Sequence, residues 1–365
     1  MAGSSIGRIF KVTTWGESHG RAIGAVVDGC PAGLPLTEED IQPYLDRRKP
    51  GQSRYTTKRN ESDRVQIMSG TFEGRTTGTP ISLLIMNSDQ HSADYSNIMD
   101  RYRPGHADFG FDVKYGFRDY RGGGRSSGRE TAARVAAGAV ASLLLQQFGI
   151  HVTAYTKSIG PVEISSFDRE EIQKNPLYMP DAVAAEKAAA WLEKCMTEKN
   201  SSGGVIECVA TGMIPGLGDP VFDKLDADLA QAVMSIGAVK GVEIGDGFRV
   251  AASSGKDNND GFHTDENGQI RPVTNHGGGI LGGISDGADL ILRCAVKPTP
   301  SIAQPQKTVT RDGEEVEIEI RGRHDPVIVP RAVVVVESMT AIVLADALLA
   351  GTTANLDQIR RAWNR

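Results

Sequence analysis

Residues 122–149 carry the most regular pattern of apolar and polar positions in the chain. Alanines, valines and leucines recur there with the period of an α-helix, which Gly149 would end. Ser127 and Glu130 match a capping box, so Ser127 is the predicted N-cap. The glycines before Ser127 would leave backbone N–H groups free to bind an anion at the positive end of the helix dipole. Three arginines add charge at the same place: Arg125, Arg129 and Arg134.

Other segments predict strands, shorter helices and a hairpin around this central helix. Alternating or more continuously apolar segments predict strands at residues 9–14, 23–28, 65–68, 81–86, 150–159, 204–213, 289–296 and 328–336. Helical periodicity predicts helices at residues 37–48, 180–200, 223–235 and 338–349, the first two capped by Thr37 and Asp181. Residues 307–321 predict a hairpin that turns at Asp312 and Gly313.

This mixture of elements favours an α+β fold over a doubly wound parallel sheet, because hairpins and strand-only runs interrupt the alternation of strands and helices. Neither a repeat nor a Gly/Ser linker divides the 365 residues, so we predict one large domain over residues 1–365. Residues 160–203 are rich in Lys and Glu and are predicted to lie at its periphery. Residues 88–125 lack periodicity, but their aromatic residues indicate an ordered, functional loop.

Composition is that of a soluble globular protein, with 39% hydrophobic and 24% charged residues. The four cysteines form no CxxC pair, so we expect reduced thiols in the cytoplasm and no metal site. The N-terminus lacks the apolar core of a signal peptide. We assign the longest apolar run to the central helix, where it is too short to span a bilayer, so no membrane association is expected.

The net charge of −6 argues against a surface for nucleic acid. Against this acidic total, lysines and arginines concentrate in residues 47–64 and 101–134. Local positive charge in an acidic protein favours a small anionic ligand. Guanidinium groups suit phosphates and carboxylates through paired charge-assisted hydrogen bonds. Histidines beside them are suited to act as general acids or bases.

Six loops share this chemistry. Their candidate residues are Ser18 and His19; Arg48 and Arg54; Arg103 and His106; Arg125, Ser126, Ser127 and Arg129; Lys297, Thr299 and Ser301; and Arg323, His324 and Asp325. The residues alone therefore indicate an enzyme that acts on a small metabolite carrying phosphate and carboxylate groups.

Two familiar motifs point to other functions, but neither has the required context. Residues 16–20, GESHG, match the G-x-S-x-G elbow of serine hydrolases, yet a strand rather than a helix is predicted after Ser18. Residues 277–282 match G-x-G-x-x-G, yet no helix is predicted after them, which argues against a nicotinamide-binding domain. A serine hydrolase built on Ser18 and a non-enzymatic anion- or RNA-binding protein remain as alternatives.

Taken together, these loops resemble the chorismate synthase family. Three long segments match its signatures in order: GESHGRAIGAVVDGCP from residue 16, GRSSGRETAARVAAGAV from residue 124 and RHDPVIVPRAVVVVESM from residue 323. The shorter segments RPGHAD, SIGAVKGVEIGDGF, NHGGGILGG and KPTPS also match. The resemblance runs from about residue 5 to residue 350.

The resemblance implies a fold, an activity and partners. The fold would be a β-α-β sandwich, with helices packed between two antiparallel sheets. The enzyme would be a carbon–oxygen lyase that converts 5-enolpyruvylshikimate 3-phosphate to chorismate by anti-1,4 elimination of phosphate. It would require reduced FMN without net redox change. It would be a cytoplasmic homotetramer that binds neither nucleic acid nor membrane. Arg48 and Arg54 are sometimes described as NADP contacts in this family, but without a dinucleotide fold the enzyme would receive reduced FMN from a separate flavin reductase.

The resemblance also implies roles for individual residues. His19 would protonate the leaving phosphate, His106 would protonate the reduced flavin, and Asp325 would take part in proton removal. Ser18 and Ser127 would support these proton transfers. Substrate would be bound by Arg48, Arg54, Arg103, Arg129 and Arg323. FMN would be bound by Arg125, Ser126, Ser127, Gly237, Ala238, Gly282, Lys297, Pro298, Thr299, Pro300, Ser301 and Arg323. Gly237 departs from close relatives in the family, which have Asn there, so one side-chain contact to the flavin is expected to be missing.

Overall fold

The structure is a computed structural model that describes residues 3–56, 61–88, 99–320 and 325–364. Its helices are α1 (Glu38–Arg48), α2 (Asp108–Tyr115), α3 (Thr131–Gln146), α4 (Ala182–Thr197), α5 (Leu225–Met234), α6 (Gly255–Asn258), α7 (Val329–Gly351) and α8 (Leu356–Ala362). Its strands are β1 (Ser5–Ile6), β2 (Lys11–Gly16), β3 (Ala22–Asp28), β4 (Val65–Ser69), β5 (Thr71–Phe72), β6 (Arg75–Thr76), β7 (Ile81–Met86), β8 (His151–Ile159), β9 (Val162–Glu163), β10 (Gly204–Thr211), β11 (Val239–Ile244), β12 (Phe262–Thr264), β13 (Ile270–Pro272), β14 (Ile280–Leu281), β15 (Ile284–Ser285), β16 (Leu290–Val296), β17 (Pro305–Val309) and β18 (Glu315–Glu319).

Two five-stranded antiparallel sheets lie on either side of the helices. The first has the strand order β1-β2-β3-β7-β4, and the second has the order β11-β16-β10-β8-β9. In the first sheet Trp15 lies opposite Gly24. A Cβ at Gly24 would lie 2.5 Å from the indole ring, so only glycine leaves room for it. In the second sheet the Sγ of Cys208 donates to Thr340 of α7, which shows that this face of β10 packs against the helices.

The helices α3 and α7 pack along each other between the sheets. α1 and α3 also contact the first sheet, whereas α5 and α7 contact the second. Both central helices are buried along most of their length, as expected for helices covered by other elements. The predicted α+β sandwich, with helices packed between two antiparallel sheets, is confirmed.

The strand predicted at residues 328–336 is wrong, because these residues form the first half of α7. Four consecutive valines, residues 333–336, favoured a strand because β-branched residues are typical of buried strands. Hydrophobic periodicity does not distinguish a helix from a strand when the element is apolar on all sides. Pro330, in the first turn, is compatible with a helix start because its missing N–H is not needed there.

A second apolar helix, α7, is longer and on average more hydrophobic than the central helix α3, to which we assigned the longest apolar run. Among the described residues, α7 has the length and composition of a membrane-spanning helix. Most of its residues are buried, and its contacts are with α1, α3, α5 and the second sheet. Core helices of globular proteins pass the same test of length and composition.

The central helix begins later than predicted, and the predicted capping box is wrong. Ser127 caps a 3₁₀ turn, Gly128–Glu130, by accepting the backbone N–H of Arg129 at 3.3 Å, and α3 follows from Thr131. Instead of returning to Ser127, the Glu130 carboxylate accepts from Thr14 Oγ1 at 2.7 Å and from Arg134 Nε at 2.7 Å. The Ser127 cap is therefore present, but a buried link from Glu130 to β2 takes the place of the reciprocal half of the capping box.

Candidate active site

His106 lies in a turn, 103–106, that packs against the loop 297–301. The Oγ of Ser301 lies 3.0 Å from Nε2 of His106, and the Nζ of Lys297 donates to the carbonyl of Gly105 at 2.9 Å. Gly105 has a φ of +71°, and a Cβ there would lie 2.7 Å from the Cβ of Pro300. The segments RPGHAD and KPTPS, which are far apart in sequence, therefore pack together on one side of the candidate site.

The hydrogen bonds of His106 set its tautomer. Its Nδ1 lies 3.0 Å from the carbonyl oxygen of Pro104, which only accepts, so Nδ1 carries the proton. Its Nε2 then accepts from the hydroxyl of Ser301. Burial and then the positive charge of Arg103 lower the pKa of His106 to about 4, although the bond to Pro104 and the carboxylate of Asp108 oppose this shift. His106 is therefore neutral at neutral pH when no anionic ligand lies beside it.

Arg103 connects these two segments to the glycine-rich turn before α3. Its Nε and Nη2 donate to the carboxylate of Asp108 at 2.8 and 2.7 Å, and both side chains are buried. Its Nη2 also lies 3.4 Å from the carbonyl oxygen of Gly122. Burial acts to raise the pKa of Asp108, but the hydrogen bonds and the charge of Arg103 hold that pKa below its ordinary value.

Ser18 and His19 lie beside the same turn. The Oγ of Ser18 is 3.2 Å from Nδ1 of His19. Gly122 has a φ of +82°, and a Cβ there would lie 2.7 Å from Cε1 of His19 and 3.1 Å from Oγ of Ser18. Strand β3 follows these residues, so Ser18 lacks the strand-to-helix elbow of a hydrolase nucleophile. We call His19, Arg103 and His106 the histidine wall.

The loops predicted to bind FMN meet at Lys297. Its backbone N–H donates to the carbonyl of Ala238 at 2.9 Å, and a Cβ at Gly237 would lie 3.9 Å from the carbonyl oxygen of Ser126. Ala238 has a φ of +73°, a strained conformation for a residue with a Cβ and one that recurs at functional sites. The buried Oγ1 of Thr299 has no hydrogen-bond partner among the described residues. An open backbone, an ammonium group and an unsatisfied hydroxyl fit the polar groups of FMN.

The side chains of Arg125, Ser126 and Ser127 stabilise the conformation of the glycine-rich turn. Arg125 donates to Oγ1 and to the carbonyl oxygen of Thr14 at 2.7 and 3.1 Å, so its guanidinium fastens the turn to β2. Ser126 donates to the carbonyl of Gly123 at 2.7 Å. Ser127 takes the capping role described above. These side chains are thus engaged within the turn or with β2, which leaves the backbone of the turn as the group that it offers to a ligand.

A second group of candidates is built around the carboxylate of Asp63. Arg48 donates to its Oδ2 at 3.1 Å, and Arg129 donates to its Oδ1. All three side chains are buried. We call Arg48, Asp63 and Arg129 the arginine cluster. Arg331 links it to Asp325, because its Nε donates to the carbonyl of Arg48 at 3.2 Å and its Nη1 donates to the Asp325 carboxylate at 2.8 Å.

Other predicted site residues lie apart from these two groups. Arg54 is exposed, pairs with Glu193 of α4 and donates to the hydroxyl of Tyr55 at 2.7 Å. Gly282 lies in the β14–β15 turn, where no described atom comes within 4 Å of a Cβ built on it. Arg323 and His324 lie outside the described residues.

Sequence reasoning missed three residues that hold the candidates in place: Asp63, Asp108 and Arg331. Asp108 closes the RPGHAD segment, so a carboxylate near Arg103 was a usable local signal. Asp63 gave no such signal, because its partners Arg48 and Arg129 are 15 and 66 residues away.

The fold and the site together define an enzyme class in which loops around a helical layer gather histidines and buried arginines for a small, multiply charged anion. The chorismate synthase family model matches residues 10–349 of the chain. The chorismate synthase of Agathobacter rectalis is 63% identical over 361 residues, which cover 98% of each chain. That of Lachnoclostridium phytofermentans is 60% identical over 367 residues, which cover 100% of each chain. A crystal structure of chorismate synthase, 33% identical, matches with a TM-score of 0.77 and covers 98% of this chain and 97% of that one. The chain belongs to the chorismate synthase family.

The activity follows from the family. The enzyme is a carbon–oxygen lyase of the shikimate pathway, and it forms chorismate by eliminating phosphate from 5-enolpyruvylshikimate 3-phosphate. It uses reduced FMN as its cofactor. The family, the reaction and the cofactor predicted from the sequence motifs are confirmed.

Proposed function

We propose that the histidine wall and the arginine cluster face one cleft, in which 5-enolpyruvylshikimate 3-phosphate binds beside reduced FMN. The main support for this proposal is that the glycine-rich turn before α3 contacts both groups. Gly122 at its start packs against His19 and lies near Arg103, whereas the carbonyl of Gly128 after its end accepts from Arg48. Fewer than ten residues of chain therefore connect the two groups.

The arginine cluster supplies the charge for the substrate's anionic groups. Two buried guanidinium groups share one carboxylate, so the cluster retains positive charge for an incoming phosphate or carboxylate. Arg103 from the histidine wall adds a third guanidinium, which Asp108 already holds in a fixed orientation. Arg54 and Arg323 complete this set on the strength of their family motifs.

Reduced FMN would be held by the backbone of Ser126 to Ser127, by Gly237 and Ala238, and by the loop 297–301. When bound, FMN supplies the reducing equivalent that makes cleavage of the carbon–oxygen bond to phosphate easier and that is recovered within the turnover. The unsatisfied hydroxyl of Thr299 and the ammonium of Lys297 support this assignment. Gly282 is assigned to the FMN site only because it lies in the segment NHGGGILGG, which matches the family.

Three groups handle protons in this proposal. His19, hydrogen-bonded to Ser18, donates a proton to the leaving phosphate. His106 gains basicity when anionic ligands bind, because a nearby negative charge raises the pKa of an imidazole, and it then holds a proton at Nε2 beside Ser301. Asp325, oriented by Arg331, accepts the proton lost from the substrate.

The finer features of the assembly are also proposals. We infer a homotetramer, a cytoplasmic location and a supply of reduced FMN from a separate flavin reductase, all of which rest on the family resemblance. Light scattering of the purified protein tests the first of these through a mass of four chains of 39.0 kDa.

The activity is tested by an anaerobic assay with purified protein, photoreduced FMN and no reductase. We expect chorismate and phosphate in equal amounts, with the flavin still reduced at the end, and no product when oxidised FMN is supplied. Absence of chorismate with reduced FMN would overturn the proposal. A phosphonate probe that labelled Ser18 and abolished phosphate release would point to the hydrolase instead.

A further inference from the structure

Asp63 occupies the position between two arginines that the proposed function assigns to the substrate. Its Oδ2 accepts from Nη1 of Arg48 at 3.1 Å, and its Oδ1 accepts from Nη1 of Arg129. The carboxylate is fully buried. The backbone at Asp63 has a φ of +47°, which is uncommon for a residue with a side chain, so the chain adopts a costly conformation to place this group.

The two arginines are each fixed by a further anchor from a different element. The Nε of Arg48 donates to Oγ1 of Thr131 at 3.1 Å, at the start of α3. The Nε of Arg129 donates to Oδ1 of Asn87 at 2.8 Å, just after β7. Asp63 is the group that both share, so it sets the spacing between the two guanidinium groups.

Carboxylates offset part of the positive charge of the cluster. Two guanidinium groups face the carboxylate of Asp63, and Oε2 of Glu61 lies 3.9 Å from Nη2 of Arg129. Burial acts to raise the pKa of Asp63, but the charges of Arg48 and Arg129 hold that pKa below its ordinary value, so the carboxylate is ionised. A phosphate that approaches these arginines therefore meets an internal anion that already uses part of their charge.

We propose that Asp63 is a positioning residue that spaces Arg48 and Arg129 for the substrate and, by competing for their charge, keeps the affinity for free phosphate low enough for release. This inference rests on the proposed function of the arginine cluster. Pre-fixed donors favour the reaction because they need no reorganisation when charge develops on the leaving group. An unopposed arginine pair would retain the phosphate product instead.

The test compares Asp63→Asn with a matched variant outside the site. Glu207 is the match, because its carboxylate lies in the second sheet between the Nζ of Lys157 at 3.1 Å and the Nη1 of Arg293 at 3.0 Å. Glu207→Gln therefore removes a carboxylate between two cations without touching the arginine cluster.

Two experiments are done on each variant: calorimetry gives the dissociation constant of inorganic phosphate for the enzyme alone, and the anaerobic assay gives kcat and KM. For Asp63→Asn we expect phosphate to bind about tenfold more tightly and kcat to fall at least about tenfold. For Glu207→Gln we expect the dissociation constant of phosphate, kcat and KM to stay within about twofold of the wild type. Unchanged or weaker phosphate binding in folded Asp63→Asn would overturn the proposal, because a merely structural carboxylate would not restrain anion affinity.

Asp63→Glu covers the case in which Asp63→Asn does not fold. It keeps the charge but moves the carboxylate, so we expect wild-type phosphate affinity with kcat lowered at least about tenfold. Wild-type values of both would overturn the positioning role. Phosphate binding is measured without turnover, so its result does not depend on the activity assay. A wild-type enzyme that makes no chorismate would refute the proposed function, but the phosphate affinities of the variants would still test the role of Asp63.

Discussion

His106 binds fewer protons in the folded chain than in the unfolded one. Its pKa is about 4 in the folded state, against 6.5 for an ordinary histidine, mainly because burial disfavours the charged ring. As the pH falls, the imidazole of His106 is therefore protonated in the unfolded chain at a higher pH than in the folded chain. The stability that neutral His106 contributes is complete above about pH 6.5 and is lost progressively as the pH falls towards about 4.

Replacing His106 with glutamine should flatten this pH dependence. Because glutamine does not titrate, we expect the variant to lose about 2 kcal/mol less unfolding free energy than the wild type between pH 7 and pH 4.5. Urea unfolding at the two pH values measures the difference. His151→Gln, at an exposed position at the start of β8, serves as the control and should follow the wild type. Identical pH dependence of His106→Gln and the wild type would contradict the depressed pKa.

The sequence predicted site residues where their chemistry is concentrated in short loops. His19 and His106 stand beside glycine and arginine in such loops, and the structure joins the corresponding segments through contacts that only glycine permits. Asp63 lies in a segment with no helical or strand period, and its role depends on two arginines that are distant from it in sequence. Charged residues that are buried by tertiary contacts carry no local pattern, so residue-level reasoning on the sequence does not find them.

Among the elements, α4 and α7 differ in how well their sequences predict them. α4 has an exposed face, so its helical period is visible, and the predicted cap at Asp181 accepts the backbone N–H of Ala184 at 3.0 Å. α7 is covered by α1, α3, α5 and the second sheet, so nearly every position is apolar and the period disappears. The first half of α7, residues 329–336, is thus where helix and strand were hardest to distinguish.

Close packing of α3 on α7 depends on Gly138. An added Cβ would lie 2.2 Å from Cβ and 2.6 Å from Cα of Ser338, and neither atom is the flexible end of a side chain. We therefore expect Gly138→Ala to lower the free energy of unfolding by about 2 kcal/mol, even though alanine favours the helix. Gly128→Ala is the matched control, because no described atom lies within 4 Å of its Cβ position, and it should change stability by less than about 1 kcal/mol. Equal effects in urea unfolding would contradict the close approach.

At the scale of the whole molecule, two carboxylates of α7 connect the layers. Asp346 accepts the backbone N–H groups of residues 8–10 at 2.7–3.0 Å, which fixes the turn between β1 and β2 in the first sheet. Glu337 accepts both terminal nitrogens of Arg47 from α1, at 2.7 and 3.0 Å, and the backbone N–H of Ala154 from β8 at 3.1 Å. One apolar helix therefore holds both sheets in place through polar contacts, in addition to its packing.

The contribution of the Arg47–Glu337 pair can be isolated, because glutamine at residue 337 retains an acceptor for Ala154 while removing the charge. Glu337→Gln should lower the unfolding free energy by about 3 kcal/mol, since it leaves a largely buried guanidinium without its counter-charge. In an Arg47→Met background the same change should cost less by at least about 1 kcal/mol, because no cation is then left unpaired. Urea unfolding of the four proteins in this cycle measures that coupling. An equal cost in both backgrounds would mean that the pair contributes nothing, and that packing of α7 alone holds α1 to the centre of the molecule.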